Sequence, residues 1–146
     1  MQRQERGLGL LEMLLVLVVV SVLLLTMGRY YGLTQRQAAV AQAQQSIDTL
    51  RMAAVRESIQ PAQSAMGSLI PTWAQRGIVP ADLAQQGNPW GGELVADIAL
   101  HQLTVRMTRV PAAAGLVLQS IYDQPVRGLR AQYDHHQLIV TLDLSA

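Results

Sequence analysis

At 146 residues and 15.9 kDa the chain has room for one globular domain, or for a smaller domain with an appendage. Half of its residues are hydrophobic and 14% are charged, with 11 arginines, no lysine and 10 acids for a net charge of +1; this excludes a disordered charged tail and leaves no bulk positive field for nucleic acid. Cysteine is absent, which excludes disulfides, thiol nucleophiles and cysteine-based zinc or iron–sulfur centres.

The chain opens on MQRQERG, with Arg3 and Arg6, and then runs LGLLEMLLVLVVVSVLLLTMG over residues 8–28. Those 21 residues carry one charge, Glu12, and span about 31 Å as a helix, the hydrocarbon thickness of a bilayer. They read as a membrane-spanning helix. Arg29, Tyr30 and Tyr31 follow and suit a membrane interface, while the basic leader is expected on the cytoplasmic side. A cleaved secretory signal fits badly, because the apolar run exceeds the usual 7–15 residues and no small-x-small site follows it. A plain signal anchor would explain the segment but not Glu12. Glu12 sits one turn into the run; a carboxylate costs about 2.5–3.5 kcal/mol at the centre of such a helix and less near its edge, so it calls for a partner. Within the chain the nearest cations are Arg6 and Arg29. A cut after Gly7 would create another cation, the α-amino group of Leu8, four residues before Glu12. On a second copy of the chain that amine can meet this carboxylate.

Arg6-Gly7 followed by Leu8-Gly9-Leu10-Leu11-Glu12-Met13-Leu14-Leu15-Val16-Leu17 resembles the class III signal of type IV prepilins and type II secretion pseudopilins. The resemblance implies cleavage by a prepilin peptidase between Gly7 and Leu8, N-methylation of Leu8, and Glu12 as the acid at mature position five. The family's usual first mature residue is Phe, and Leu8 keeps its large apolar character. Without residues 1–7 the chain has 139 residues, with nine arginines against nine acids.

Residues 33–58 are mainly Ala, Gln, Leu and Arg, strong helix formers, and no proline precedes Pro61. Leu33, Val40, Ala43, Ile47, Leu50 and Ala54 recur at three- and four-residue spacing, an amphipathic stripe. Arg36 and Glu57 interrupt the d positions of a coiled-coil frame, so the stripe is read as contact with a sheet. The expectation is one helix over residues 8–58, bent or locally unwound at Gly28 and Gly32. Residues 60–88 are punctuated by Pro61, Gly67, Pro71, Gly77, Pro80 and Gly87 and read as a long ordered loop, with one helical turn at Pro80-Ala81-Asp82-Leu83-Ala84. Residues 93–98 and 102–109 read as a hairpin, with Leu103, Val105 and Met107 on one face. Val110-Pro111 opens a short helix over residues 112–123, ended by Pro125 and Gly128. Residues 129–133 and 137–144 read as a second hairpin across Asp134-His135-His136, with Leu138, Val140, Leu142 and Leu144 alternating along its last strand.

The predicted fold is α+β, a long helix on an antiparallel sheet of about four strands. It divides into a leader (1–7), a transmembrane half-helix (8–28), an amphipathic half-helix (29–58) and a head (59–146). This layout is similar to that of pilins. Asn88-Pro89-Trp90-Gly91-Gly92-Glu93-Leu94-Val95 and Thr108-Arg109-Val110-Pro111-Ala112-Ala113-Ala114-Gly115-Leu116 resemble segments of type IVb pilins, though a Pro-Trp-Gly also occurs in major pseudopilins. That subfamily typically carries a cysteine near Gly115 bonded to one near the C-terminus, and this chain has neither.

Other constellations weigh little. His135-His136 beside Asp134 reads as a polar turn rather than a metal site, and His101 as a hairpin residue. Gly7-x-Gly9 enters a membrane and is no phosphate loop. No Gly-x-Ser-x-Gly occurs, and neither a catalytic triad nor a cofactor motif is present, so no enzyme is expected. Trp90 reads as a core anchor at the start of the sheet. Arg106, Arg109, Arg127 and Arg130 offer a weak DNA surface, for which ion pairing between subunits is the milder account. The expected function is a structural subunit of a type IV pilus-like fibre, or alternatively a type II secretion pseudopilin or minor pilin. A more distant alternative is a single-pass anchored binding or regulatory protein. The resemblance implies as partners other copies of the chain, the prepilin peptidase, and an assembly machinery with an inner-membrane platform and an ATPase. It implies the bacterial inner membrane before assembly and an extracellular or periplasmic fibre after it.

Overall fold

Fifty-five consecutive residues with no proline make one helix, α1 (Glu5–Ile59). The computed structural model describes the backbone of residues 5–59 and 67–144 and the side chains of 9–57 and 67–144. Arg3 and Pro61 lie outside the described residues, and so do the side chains of Arg6, Gly7 and Leu8. The expected unwinding at Gly28 and Gly32 does not occur; α1 is helical through both. The cost of glycine, about 1 kcal/mol at each site, is spread over a helix that keeps its hydrogen bonds on either side. Residues up to Gln37 form one compact unit and residues from Ala38 another.

In the second unit α1 buries Ala43, Ser46, Ile47, Leu50, Ala53 and Ala54, with Val40 packed at the margin. The stripe therefore starts later than its periodicity predicts: Leu33 is 59% exposed. Ala43 and Ala54 let the helix backbone approach its neighbours closely, and Ile47 and Leu50 fill the space between.

The expected long loop is more ordered than its prolines and glycines suggest. It contains α2 (Ile70–Gln75) and α3 (Ala81–Gln86). Pro71 sits in the first turn of α2, where its missing N–H costs nothing. Ile70 and Trp73, one turn apart, both point into the core, and Trp73 is only 1% exposed. Arg76 ties the end of α2 to α1 through an ion pair with Glu57, at 2.9 Å.

Four strands follow: β1 (Leu94–Ala99), β2 (Gln102–Met107), β3 (Leu129–Asp134) and β4 (Gln137–Asp143). Helix α4 (Ala112–Tyr122) links the two hairpins and begins after Pro111, as expected. All strand pairs are antiparallel, in the order β1-β2-β4-β3. The hairpins thus join through β2 and β4, with Val105 opposite Val140 and Leu103 opposite Leu142. Leu94, Ala96, Leu103, Val105, Met107, Leu129, Ala131, Leu138, Val140 and Leu142 form the buried face. They share one core with α2, α4 and the head portion of α1. The layout is α+β and pilin-like: a long N-terminal apolar helix with a four-stranded antiparallel sheet.

Both hairpins turn through two residues of positive φ, Leu100 and His101 in the first, His135 and His136 in the second. At Gly115 a Cβ would lie 2.2 Å from the Tyr133 ring. The ring therefore lies directly on the α4 backbone, and the Tyr133 hydroxyl donates to the Val110 carbonyl at 3.0 Å. This contact joins α4 to β3 without a disulfide.

Candidate functional site

The N-terminal unit carries the first candidate site. From Gly9 to Met27 no part of α1 is covered by the rest of the protein, and this is a helix long and apolar enough to cross a membrane. Polar groups in this stretch are mostly self-satisfied. Ser21 donates to the Leu17 carbonyl and Thr26 to the Val22 carbonyl, each at 2.7 Å. Such bonds to the preceding turn hide a hydroxyl from lipid. Glu12 has no equivalent, and among the described residues its carboxylate has neither a hydrogen bond nor an ion pair. It lines a shallow apolar groove with Gly9, Met13, Val16, Leu17, Val20 and Ser21 along one face of the helix. Arg29 is 17 residues away, about 25 Å along the axis, too far to reach. Gly7 and Leu8 are part of the helix backbone, five and four residues before Glu12.

The head places its other sequence candidates apart. His101 lies in the β1–β2 turn and His135-His136 in the β3–β4 turn. By the pairing of Gln102 with Asp143 and of Met107 with Leu138, those turns occupy opposite ends of the sheet. His135 contacts Asp134, while His136 lies with Nδ1 3.3 Å from the Val110 carbonyl oxygen and its own carbonyl accepts from the Val110 N–H. Among the described residues no three His, Asp or Glu side chains gather for a metal. The four arginines are all exposed, but they do not converge. Arg106 and Arg130 are on the outer sheet face with β4 between them, and the register puts Arg109 and Arg127 at opposite ends. Arg109 donates to the Gly91 carbonyl at 3.2 Å.

Two polar contacts of the head were not legible as contacts in the sequence. Asn88 is buried. Its Oδ1 accepts from the backbone N–H of Trp90 and Gly92, both at 3.0 Å, and its Nδ2 donates to the Thr108 carbonyl at 2.6 Å and the Glu93 carbonyl at 3.3 Å. The side chain thereby fixes the turn that aims β1 along β2. Gly92 is required beside it, since a Cβ there would lie 2.0 Å from the Thr108 carbonyl oxygen. The signal for this device was present in Asn88-Pro89-Trp90-Gly91-Gly92, a turn-rich run before a strand. Trp90 is half-buried against the core as expected, while the deeper anchor is Trp73.

Tyr122 ends α4 under α1. Its hydroxyl lies 3.2 Å from an Asp48 carboxylate oxygen and 3.3 Å from the Gln44 carbonyl. Burial raises its pKa above the ordinary tyrosine value, the Asp48 charge and hydrogen bond raise it further, and Arg51 opposes them. The neutral phenol is thus favoured in the folded state. Its contribution to stability is fully present below about pH 10, the unfolded value, and is lost as the pH rises above it. Urea unfolding of the detergent-solubilised chain between pH 8 and 11.5 is expected to show this loss, and Tyr122→Phe is expected to flatten it. An unchanged pH slope in the variant would show that other groups carry the dependence.

A scan against protein-family models, a search of curated proteins and a search of solved structures each return no match.

Proposed function

We propose that the chain is a structural subunit of a type IV pilus-like fibre, closest to the type IVb kind, cut by a prepilin peptidase and polymerised through its apolar N-terminal helix. The observation that carries this reading is a combination within the first 28 residues: a basic leader ending in Gly7, an acid five residues later at Glu12 that is unpartnered among the described residues, and an uncovered apolar stretch of membrane length. A plain anchor explains the first feature and leaves the other two without a purpose. In this reading the helix waits in the bacterial inner membrane with its leader in the cytoplasm. The peptidase cuts between Gly7 and Leu8 and methylates the Leu8 amine. The assembly platform and its ATPase then move the helix into a bundle of like helices, where protein packing replaces lipid. The heads form the outside of an extracellular or periplasmic fibre. Nine arginines against nine acids in the processed chain leave subunits without strong mutual repulsion.

Co-expression with a prepilin peptidase tests the reading. Intact mass is expected to show a chain starting at N-methyl-Leu8, and Gly7→Arg is expected to abolish cutting, because a long cationic side chain replaces the residue beside the scissile bond. A chain that keeps Met1 in the presence of an active peptidase would sink the proposal.

A further inference from the structure

Between Glu12 and Asp48 the chain has no acidic residue, and its only charges there are Arg29 and Arg36. Both are on α1, seven residues apart, so they share one helix face about 10 Å from each other along the axis. Arg29 directly follows the stretch of bilayer length. Both arginines are exposed, and among the described residues neither has an ion-pair partner. Gly32 lies between them on the helix, adds no side chain there, and a Cβ at that position would meet nothing within 4 Å. Tyr30 and Tyr31 are beside it, 73% and 67% exposed, and the Thr34 hydroxyl is occupied with the Tyr30 carbonyl at 2.6 Å.

An arginine pair without a protein counter-ion, at the level where an apolar helix leaves lipid, faces one abundant anion, the phosphate of a headgroup. Guanidinium groups bind phosphate through paired N–H donors, their long stems follow the apolar surface, and tyrosine favours the same depth. We propose that Arg29 and Arg36 form a binding site for an anionic phospholipid headgroup, of the phosphatidylglycerol class, in the leaflet from which α1 emerges. A zwitterionic headgroup is the poorer ligand, because its own cation meets the second arginine. The inference rests on the membrane-spanning part of the proposed function and needs no polymerisation.

The test uses the full chain reconstituted in phosphatidylcholine vesicles, with trace spin-labelled phosphatidylglycerol or phosphatidylcholine as the probe. The motionally restricted fraction in the electron paramagnetic resonance spectrum gives the relative affinity at the helix. Phosphatidylglycerol is expected to be preferred by at least about fivefold, the factor that one basic residue near an anionic surface gives. The preference is expected to fall to near parity in R29Q/R36Q and to persist in R3Q/R6Q, which removes the leader's arginines. Helical circular dichroism and resistance to carbonate extraction establish that each variant is folded and inserted. Equal affinities in the unmodified chain, or a preference that survives R29Q/R36Q, overturns the site. A lipid preference seen in a chain that the peptidase never cuts supports the site while sinking the fibre subunit, so the two failures are distinguishable.

Discussion

Glu12→Val is expected to leave peptidase cleavage and membrane insertion intact while reducing fibre yield at least about tenfold. Valine removes a charge whose cost in a membrane helix is about 2.5–3.5 kcal/mol at the centre and less at Glu12, one turn into the apolar stretch, so the variant inserts at least as well as the parent. What it loses is the only charged group within the apolar stretch. In the proposed fibre the methylated amine of Leu8 on an incoming subunit meets Glu12 of one already in place. Leu and Val surfaces pack with similar energy at several staggers, whereas one stagger alone brings amine and carboxylate together. Losing a pairing of even about 1.4 kcal/mol per subunit shifts each addition tenfold. Glu12→Gln keeps the shape and loses the charge, and is expected to fail in the same way. Processed protein is measured against sheared fibre for each variant as the sole expressed subunit. A parental fibre yield from Glu12→Val would show that the carboxylate does not set the stagger.

Removal of residues 137–146 is expected to abolish cooperative unfolding of the head. These residues carry β4, which lies between β2 and β3. Without it the first hairpin loses the pairing of Leu103, Val105 and Met107 with Leu142, Val140 and Leu138, and β3 is left with no strand neighbour. Leu138, Val140 and Leu142 are all buried, and deleting even one such side chain costs about 2–5 kcal/mol, which approaches the stability of a small domain. Thermal unfolding followed by near-ultraviolet circular dichroism decides the matter, since Trp73 and Tyr122 report packing of the core. A truncated head that melts at an unchanged temperature would refute the central role of β4.

The sequence made α1 and the four strands legible because each follows a periodicity that burial later obeys. Val105 and Met107, or Val140 and Leu142, alternate with exposed or half-buried neighbours, and no long-range fact is needed to read them. Strand order was different. Nothing local says that β4 enters between β2 and β3, because that depends on matching two hydrophobic faces across more than 30 residues. Helix α2 was hidden by its shortness and by Pro71, and only the burial of Ile70 and Trp73 together makes it worth forming. Leu33 misled through periodicity: its spacing suits the stripe, but α1 begins to be covered only at Ala39 and Val40. Glu12 stands out in the sequence as a lone acid in an apolar run, and the structure adds that it has no hydrogen bond or ion pair among the described residues. Asn88 and Tyr122 do not stand out, since their partners are backbone carbonyls and a carboxylate that only the folded chain brings near.

The place of β4 also has a consequence in time. Synthesis runs from α1 toward β4, so both strands that flank β4 in the sheet, β2 and β3, are made before the strand that joins them. A chain that stops just before β4 holds the first hairpin and an unpaired β3, with no seam between them. Closure of the head thereby waits for β4, and a chain released before it leaves β2 and β3 without the strand that joins them.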